Sequence, residues 1–195
     1  MAGAPGWDAI DAAVARLYPG VVPVHLAPYP GAHMPGGGVQ GISAYPADGH
    51  WHLVSYGLSE LYEKVSRQPE ISGWGYELTI RVARRPEDTE APQWAFNLLE
   101  RLARMTQAEK HRHRVGDRID LDNPVDGDPA TRIRAFTVVV DPELGVIDTP
   151  NGAVEFRQLV GVTTNELDFL RTGSAAVVLD HLAEGNPLLI TDVRR

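Results

Sequence analysis

The sequence predicts an α+β fold, α/β sandwich-like, in which helices flank a mixed, largely antiparallel central sheet. Its elements run in the order helix, strands, helix, strands, helices, strand, without the regular strand–helix alternation of a doubly wound fold. Residues 74–82 alternate apolar and polar side chains without a break, as on a strand with one face in the core. The 19 glycines and 15 prolines suit many short connections between strands. At 195 residues, the chain is expected to form one domain, residues 1–195.

The strand at residues 74–82 has two different faces. One face carries aromatic and branched side chains, and the other carries a polar row. Glu77 lies in the middle of that row. We expect it to form an ion pair across the ladder, with Arg81 or with a histidine of the neighbouring strand. The two faces are Trp74, Tyr76, Leu78, Ile80 and Val82 against Gly75, Glu77, Thr79 and Arg81.

A β-hairpin is predicted before this strand. Residues 39–45 and 50–56 are its expected strands, and the Asp48-Gly49 dipeptide between them is a turn signal. The turn residues of the segment 68–73 would let the chain reverse into the next strand. The linker in between is expected to hold a single helical turn, because four side chains fall at helical spacing: Leu58, Leu61, Tyr62 and Val65.

Two helices are predicted in the N-terminal half of the chain. Residues 7–18 have an apolar stripe that ends at a Pro-Gly pair. A short extended segment at residues 21–27 and a loop rich in proline and glycine at residues 28–38 follow it. Pro92 suits the first turn of the second helix, where its missing N–H costs nothing. This helix is expected to cover the sheet.

The C-terminal half is predicted to add three strands and two helices, and then a last short strand. The strands are expected at residues 115–121, which read as an edge strand, and at residues 132–140 and 153–162. Thr163 and Glu166 fit a capping box at the start of a helix, and Ser174 is the expected cap of the next. The last short strand is expected at residues 188–190.

Composition excludes several classes of protein. Because there is no cysteine, disulfides, thiolate catalysis and cysteine-ligated metal sites are excluded, and a reducing cytoplasm is favoured. No segment resembles a secretory signal or reaches the length of a membrane span, so we expect a cytoplasmic protein without a membrane partner. A net charge of -8 would repel a phosphate backbone, so no nucleic-acid partner is expected.

His50 and His52 are the candidate metal ligands. Two positions apart on one strand, their imidazoles would lie about 6.6 Å apart by strand rise. That spacing lets two ligands share an ion if His33 or His25 supplies a third. No zincin spacing such as H-E-x-x-H accompanies the pair, so packing or hydrogen bonding at the strand end is the favoured interpretation. We therefore predict no metal and no cofactor.

The sequence also lacks a complete catalytic motif. Ser43 and Ser59 do not complete the G-x-S-x-G elbow that exposes a nucleophilic serine. The glycines at residues 36–38 lack the Lys-Ser/Thr pair of a phosphate-binding loop. Asp120 and Asp122 lie beside turn residues, and turn formation explains them. We therefore predict that the chain is not an enzyme.

Aromatic side chains gather around the linker before the central strand. Tyrosine and tryptophan dominate binding hot spots, because they add contact area at a small entropic cost. Trp74 and Tyr76 fit the core equally well, whereas Tyr62 is the one expected to be half exposed. The predicted protein-binding residues are Tyr62, Tyr56, Trp74 and Glu77.

Two segments of this region resemble the signature of the suppressor of fused (Sufu) family. They are HWHLVSYGLSELY at residues 50–62 and SGWGYELTIR at residues 72–81. Together with shorter matches they cover nearly the whole chain, which is similar to the N-terminal domain of animal Sufu proteins. The shorter matches are at residues 41–45, 92–103, 141–142, 149–162 and 189–195.

The resemblance implies a protein-binding domain with an α/β fold and no enzymatic activity. In the animal proteins, this domain and a C-terminal one close around an extended segment of a Gli transcription factor, which adds as a strand between them. Tyr62 matches a tyrosine that the family uses near that peptide. However, the segment 68–71 is shorter than the corresponding loop, and it lacks the aspartate that the animal loop contributes.

Single-domain relatives in bacteria imply a second role, that of an immunity protein which neutralises the toxin of a polymorphic toxin system. The acidity of the chain agrees with it, since complementary fields speed the encounter with a basic target. The alternative is a regulatory module that captures an extended peptide by strand addition.

Overall fold

The computed structural model describes residues 3–26, 37–173 and 175–195. Over these residues the helices are α1 (Pro5–Leu17), α2 (Gln93–Glu109), α3 (Thr164–Thr172) and α4 (Ala175–Ala183). The strands are β1 (Val24–Leu26), β2 (Gly41–Ala47), β3 (His50–Tyr56), β4 (Ile71–Ala83), β5 (Arg118–Asp120), β6 (Ile133–Val140), β7 (Val146–Thr149) and β8 (Gly152–Thr163).

These strands form one mixed sheet. Its order is β1-β2-β3-β4-β8-β6-β5, and β7 pairs with β8 off this path. Neighbouring strands are antiparallel except β4 and β8, which run parallel. The predicted α+β class with a mixed, largely antiparallel sheet is therefore confirmed. None of the described helices is long and apolar enough to cross a membrane.

The β2–β3 hairpin follows directly from the local sequence. Ala47 pairs with His50, so Asp48-Gly49 is a two-residue turn, and Gly49 has a φ of 72° that glycine tolerates without steric cost. The capping box is also confirmed, because the Thr163 side chain accepts from the Glu166 N–H and the Glu166 carboxylate accepts from the Thr163 N–H.

Helices cover both faces of the sheet. The face with Leu53 of β3 and Leu78 of β4 packs under α2, in a core that includes Leu99 and Leu102. The opposite face packs under α1, where Ile10, Val14, Val54 and Tyr56 share a second cluster. A smaller third cluster lies under α3 and α4, and it contains Ala135, Val162, Leu167, Leu170 and Val178.

The polar row of β4 is not a solvated face, because the linker at residues 57–70, the segment after β6 and α1 all lie on this side of the sheet. Glu77, Thr79 and Arg81 are each fully buried. The alternation of the strand was predicted correctly, but the sequence pattern could not show that a second layer covers the polar side. Burying a charge is costly unless it is paired or hydrogen-bonded, so the ionisable side chains of this row must have partners inside the fold.

Other local predictions are wrong. The linker with Leu58 and Leu61 has no helical turn, although both side chains are buried. The turn predicted in the segment 68–73 is present only in its first half: the chain turns at Pro69-Glu70, where the Ile71 N–H donates to the Gln68 carbonyl, before β4 runs antiparallel to β3. Ser72-Gly73 lies inside β4 and is not part of that turn. Residues 188–190 form no strand, and the chain adds only an isolated bridge between Val82 and Thr191. Strand β7 was not predicted. Most of the loop at residues 28–38, His33 and the Ser174 cap lie outside the described residues.

Candidate protein-binding site

The linker between β3 and β4, residues 57–70, is called the β3–β4 loop below. Its beginning is held by the buried carboxylate of Glu77. One carboxylate oxygen, Oε1, accepts from the Gly57 N–H at 2.8 Å, from the Ser59 N–H at 2.9 Å and from the Ser59 hydroxyl at 2.6 Å. The other oxygen accepts from the Ser55 hydroxyl of β3. A central strand therefore fixes the start of the loop through one side chain.

A second carboxylate, Glu60, holds the rest of the β3–β4 loop. It accepts from the N–H groups of Val65 at 2.8 Å, of Ser66, and of Gly73 in β4 at 3.1 Å. Lys64 forms an ion pair with it at 3.1 Å. Burial acts to raise the pKa of Glu60, but the N–H donors and Lys64 outweigh burial and lower it to about 2. The carboxylate is therefore ionised at neutral pH and closes the loop.

The loop backbone is also joined to its neighbours. The Leu61 carbonyl accepts from the Gly6 N–H at 2.9 Å, at the first turn of α1. The Glu60 carbonyl accepts from the Asn151 amide at 2.8 Å, in the turn between β7 and β8. Leu61 is only 2% exposed, so this part of the loop is packed against the sheet.

The predicted protein-binding residues are placed at different depths. Tyr62 is 49% exposed, and Val65 on the same loop is 75% exposed. Trp74 is half-buried, and the side chains of Lys110 and Arg112 lie over its ring. Tyr56 and Glu77 have no exposed surface, so they can position a contact surface but cannot touch a partner in this conformation. The assignment of these residues to protein binding stays a prediction.

The predicted ion pair of Glu77 is wrong. Glu77 bonds to loop and serine donors instead of to Arg81 or a histidine. Burial raises the pKa of Glu77, and its hydrogen-bond donors act in the opposite direction. The prediction failed because the β3–β4 loop folds back from the end of β3 toward Glu77. Its N–H and hydroxyl groups lie closer to the carboxylate than the charged groups of the neighbouring strands do.

Arg81 binds a different acid, which lies 60 positions away in the chain. Its guanidinium donates to both oxygens of Asp141, at 2.9 and 3.1 Å, and to Glu143 at 2.8 Å. It also donates to Gln158 of β8. Burial acts to raise the pKa of Asp141, but its hydrogen bonds and the nearby Arg81 charge hold it well below its usual range. A buried ion pair thus joins β4 to the segment after β6.

His50 and His52 are hydrogen-bonded rather than arranged around an ion. The Tyr18 hydroxyl lies 2.9 Å from His52 Nδ1 and 3.3 Å from His50 Nε2, and His52 Nε2 lies 3.1 Å from Asp141 Oδ2. His25 bonds to Ser43. Within the described residues, no group of three potential ligands is placed to hold a metal. The favoured interpretation of the pair, packing or hydrogen bonding at the strand end, agrees with this geometry, and the hydrogen-bond partners Tyr18 and Asp141 lie outside the strand.

The buried state of His52 predicts how stability changes with pH. Burial lowers the pKa of His52 to about 4; the Asp141 hydrogen bond opposes this and the Arg81 charge adds to it. An unfolded histidine titrates near pH ~6.5, so below that pH the unfolded chain binds a proton that the folded chain excludes. The free energy of unfolding should therefore fall by up to about 1.4 kcal/mol per pH unit between pH ~6.5 and ~4, from this group alone.

Urea unfolding at a series of pH values checks this prediction. In His52→Gln the slope should be smaller than in the wild-type chain, and the part that remains comes from other groups such as His50 and His113, whose pKa values are lowered in the same direction. His181→Gln is the matched control, since His181 is exposed. Equal slopes for His52→Gln and the wild-type chain would contradict the assignment.

The chain matches a known protein family over most of its length. The family described as suppressor of fused protein (SUFU) matches residues 37–195. This chain belongs to the suppressor of fused family. The suppressor of fused homologs of Homo sapiens and Mus musculus are each 34% identical to it over 155 residues, which are 75% of this chain and 32% of those proteins. The chain thus spans about a third of the length of the curated relatives it matches.

Solved Sufu structures share its fold. A structure described as the Sufu–Fu complex has a TM-score of 0.88 at 29% identity and covers 99% of this chain and 91% of that one. Drosophila Suppressor of Fused gives 0.86 at 29% identity, over 99% of this chain and 51% of that one. A SUFU homolog from Neisseria gonorrhoeae gives 0.67 at 16% identity, over 95% and 93%, which shows likeness of fold.

Sequence reasoning on this Sufu-family chain missed three residues of the site: Glu60, Val65 as a surface residue, and Asp141 as the partner of Arg81. Glu60 had a usable signal, since an acidic side chain in a loop can accept from successive free N–H groups. Asp141 had none beyond its place in a family-like segment, because its partner lies far away in sequence.

Proposed function

We propose that this Sufu-family chain is a non-enzymatic protein-binding domain whose contact surface is centred on the β3–β4 loop. The observation that carries the proposal is the presentation of Tyr62 and Val65 on a loop whose own backbone donors are satisfied by Glu60 and Glu77. A loop held in one shape loses less conformational entropy on binding. The exposed tyrosine and valine of this loop supply apolar contact area.

Two further points support protein binding. The relative in the Sufu–Fu complex structure was solved with a protein partner, and this chain covers 91% of that relative. No complete catalytic constellation occurs among the described residues, whose buried acids and histidines bond to one another and to loop N–H groups. We therefore propose that this domain acts by covering a surface of its partner and not by catalysing a reaction.

For the partner we propose the cognate toxin of a bacterial polymorphic toxin system, with this domain as its cytoplasmic immunity protein. The net charge of -8 favours rapid encounter with a basic target such as a nuclease-like toxin. A homolog from Neisseria gonorrhoeae has the same fold, so the fold also occurs in a bacterial protein.

A specific feature favours the alternative, a regulatory module that binds an extended peptide by strand addition. Strand β1 is at one end of the sheet that the described residues form, and its side chains Val24 and Leu26 are 47% and 38% exposed. An extended peptide can add to such an edge through main-chain hydrogen bonds. The two proposals therefore use different surfaces.

The test begins with the partner captured from the native host and then purified. Its affinity is measured by calorimetry for the wild-type chain, for Tyr62→Ala and for the matched control Val146→Ala, which alters an exposed residue on β7. We expect Tyr62→Ala to weaken binding at least about tenfold, as for a moderate hot spot, and Val146→Ala to have no effect. Equal affinities for all three chains would contradict the loop as the contact surface.

A growth assay distinguishes the immunity role from the strand-addition role. Expression of the partner alone should stop cell growth if it is a toxin, and co-expression of this chain should restore growth, with Tyr62→Ala restoring it less well. If the partner is harmless alone and binding is lost on Val24→Pro, which removes a main-chain N–H from β1, the strand-addition role holds instead.

A further inference from the structure

A cavity of about 390 Å³ lies between α1 and the β1–β2 end of the sheet. One wall is a stripe of α1 and the residue after it, at positions i, i+4, i+8 and i+11: Trp7, Asp11, Ala15 and Tyr18. The other wall includes His25 of β1 and Ser43 and Tyr45 of β2. A cavity of this size is in the range of small-ligand sites. It has no part in the proposed contact through Tyr62.

The aromatic rings of the cavity are held in fixed positions. The Trp7 ring stacks on Tyr56 with centroids 4.6 Å apart, and the Tyr18 ring stacks on Tyr45 with centroids 5.7 Å apart. The Tyr18 hydroxyl is bonded to His52, and the Tyr45 hydroxyl lies 3.1 Å from that of Tyr56. With their hydroxyl groups occupied elsewhere, the Tyr18 and Tyr45 rings offer the cavity aromatic surface rather than free donors.

One carboxylate supplies the charge of the cavity. The Tyr56 hydroxyl donates to Asp11 Oδ1 at 2.9 Å, so the Tyr45 hydroxyl donates to Tyr56, and the chain of bonds ends on the acid. Asp11 is exposed, and its second oxygen, Oδ2, has no hydrogen-bond partner among the described residues. The described lining contains neither lysine nor arginine, so the charge of Asp11 is not neutralised within it.

We propose that this cavity binds an organic ammonium group, packed against the Trp7, Tyr18 and Tyr45 rings with its charge paired to Asp11. Aromatic faces attract a cation through the ring quadrupole, most strongly when the cation is poorly hydrated, as a methylated ammonium is. The carboxylate adds a direct ion pair. The ammonium could belong to a free choline-like molecule or to a methylated lysine, which share this chemistry.

Other ligand classes fit the lining less well. A metal ion needs several oxygen or nitrogen ligands, and the described residues place no group of three near one another. An anion would meet the uncompensated Asp11 carboxylate. A neutral sugar could stack on the rings, but it would not need the charge of Asp11, and this difference separates the two in an experiment.

The test is a calorimetric titration of the whole chain with choline and with its uncharged isostere, in which carbon replaces the ammonium nitrogen. We expect choline to saturate one site with a Kd of the order of 1 mM or below, and the isostere to bind at least about tenfold more weakly. Peptides with trimethyllysine or unmodified lysine form the second arm. Tighter binding of the trimethyllysine peptide than of choline would identify a protein side chain as the source.

Matched variants make the outcome decisive. Asp11→Asn should weaken choline binding about two- to fivefold, whereas Asp8→Asn, which removes an exposed α1 acid outside the cavity, should leave it unchanged. Tyr45→Phe, which keeps the ring, should retain binding. The proposal is overturned if neither cation saturates the chain, if the isostere or glucose binds as well as choline, or if the two acid variants lose affinity equally. Thermal melting of each variant shows that the fold is intact.

Discussion

Arg81→Met is expected to lower the free energy of unfolding by about 3–5 kcal/mol, since it leaves a buried acid without its cation. Arg81 is fully buried, and it donates to both oxygens of Asp141 and to Glu143. Methionine fills much of the same volume, so the loss is electrostatic rather than a large cavity. Asp141 keeps the Thr79 hydroxyl at 2.8 Å and the His52 ring at 3.1 Å as partners, and neither carries the permanent charge of Arg81.

Urea denaturation measures this loss, and Arg104→Met is its matched control. Arg104 also pairs with a glutamate, Glu100, at 2.7 Å, but its side chain is 53% exposed. Exposed pairs of this kind contribute about 0–1 kcal/mol, so the control should change stability little. Adding Asp141→Asn to Arg81→Met should recover part of the lost stability, because the uncompensated charge is removed. A cost below ~1 kcal/mol for Arg81→Met would contradict the role given to the ion pair.

Glu77→Leu is the second large expected effect, at about 2–4 kcal/mol, because it leaves several donors without an acceptor. The N–H groups of Gly57 and Ser59 and two serine hydroxyls all point at this carboxylate. Their release should loosen the start of the β3–β4 loop. If that loop is the contact surface, the affinity for the partner should fall by at least about tenfold as well.

Glu77→Gln distinguishes hydrogen bonding from charge. The amide oxygen can still accept from Gly57 and Ser59, and the amide N–H₂ can donate to the Ser55 hydroxyl, so the cost should be well below that of Glu77→Leu. Glu70→Leu alters an exposed acid at the end of the same loop and is the control for a change of surface charge. Hydrogen exchange of the Gly57 and Ser59 amides reports the loop directly. Unchanged protection of these amides in Glu77→Leu would show that Glu77 does not hold the loop.

Features that depend on neighbours in sequence were predictable. The period of β4, the Asp48-Gly49 turn and the capping box at Thr163 each require only a few adjacent residues, and the structure contains all three. The half exposure of Tyr62 was also predicted, and it is observed. The family signature could be read for the same reason, since its segments are continuous stretches of chain.

Features that depend on distant residues were not predictable. The sequence placed Glu77 and Arg81 on one face of a strand, but it could not show that α1 covers this face. It also could not show that the β3–β4 loop turns back onto Glu77, or that Asp141 reaches Arg81. The aromatic lining of the cavity was missed because half of it comes from α1 and half from β1 and β2.

By itself, the sequence determined where most of the strands and helices form, which faces are apolar, and the family to which the chain belongs. Only the tertiary structure decided which polar groups are buried and which partner each one has. The physical reason is that backbone geometry and side-chain periodicity act over a few residues. The cost of burying a charge, in contrast, is set by every group that the fold brings within a few ångströms of it, whatever its position in the chain.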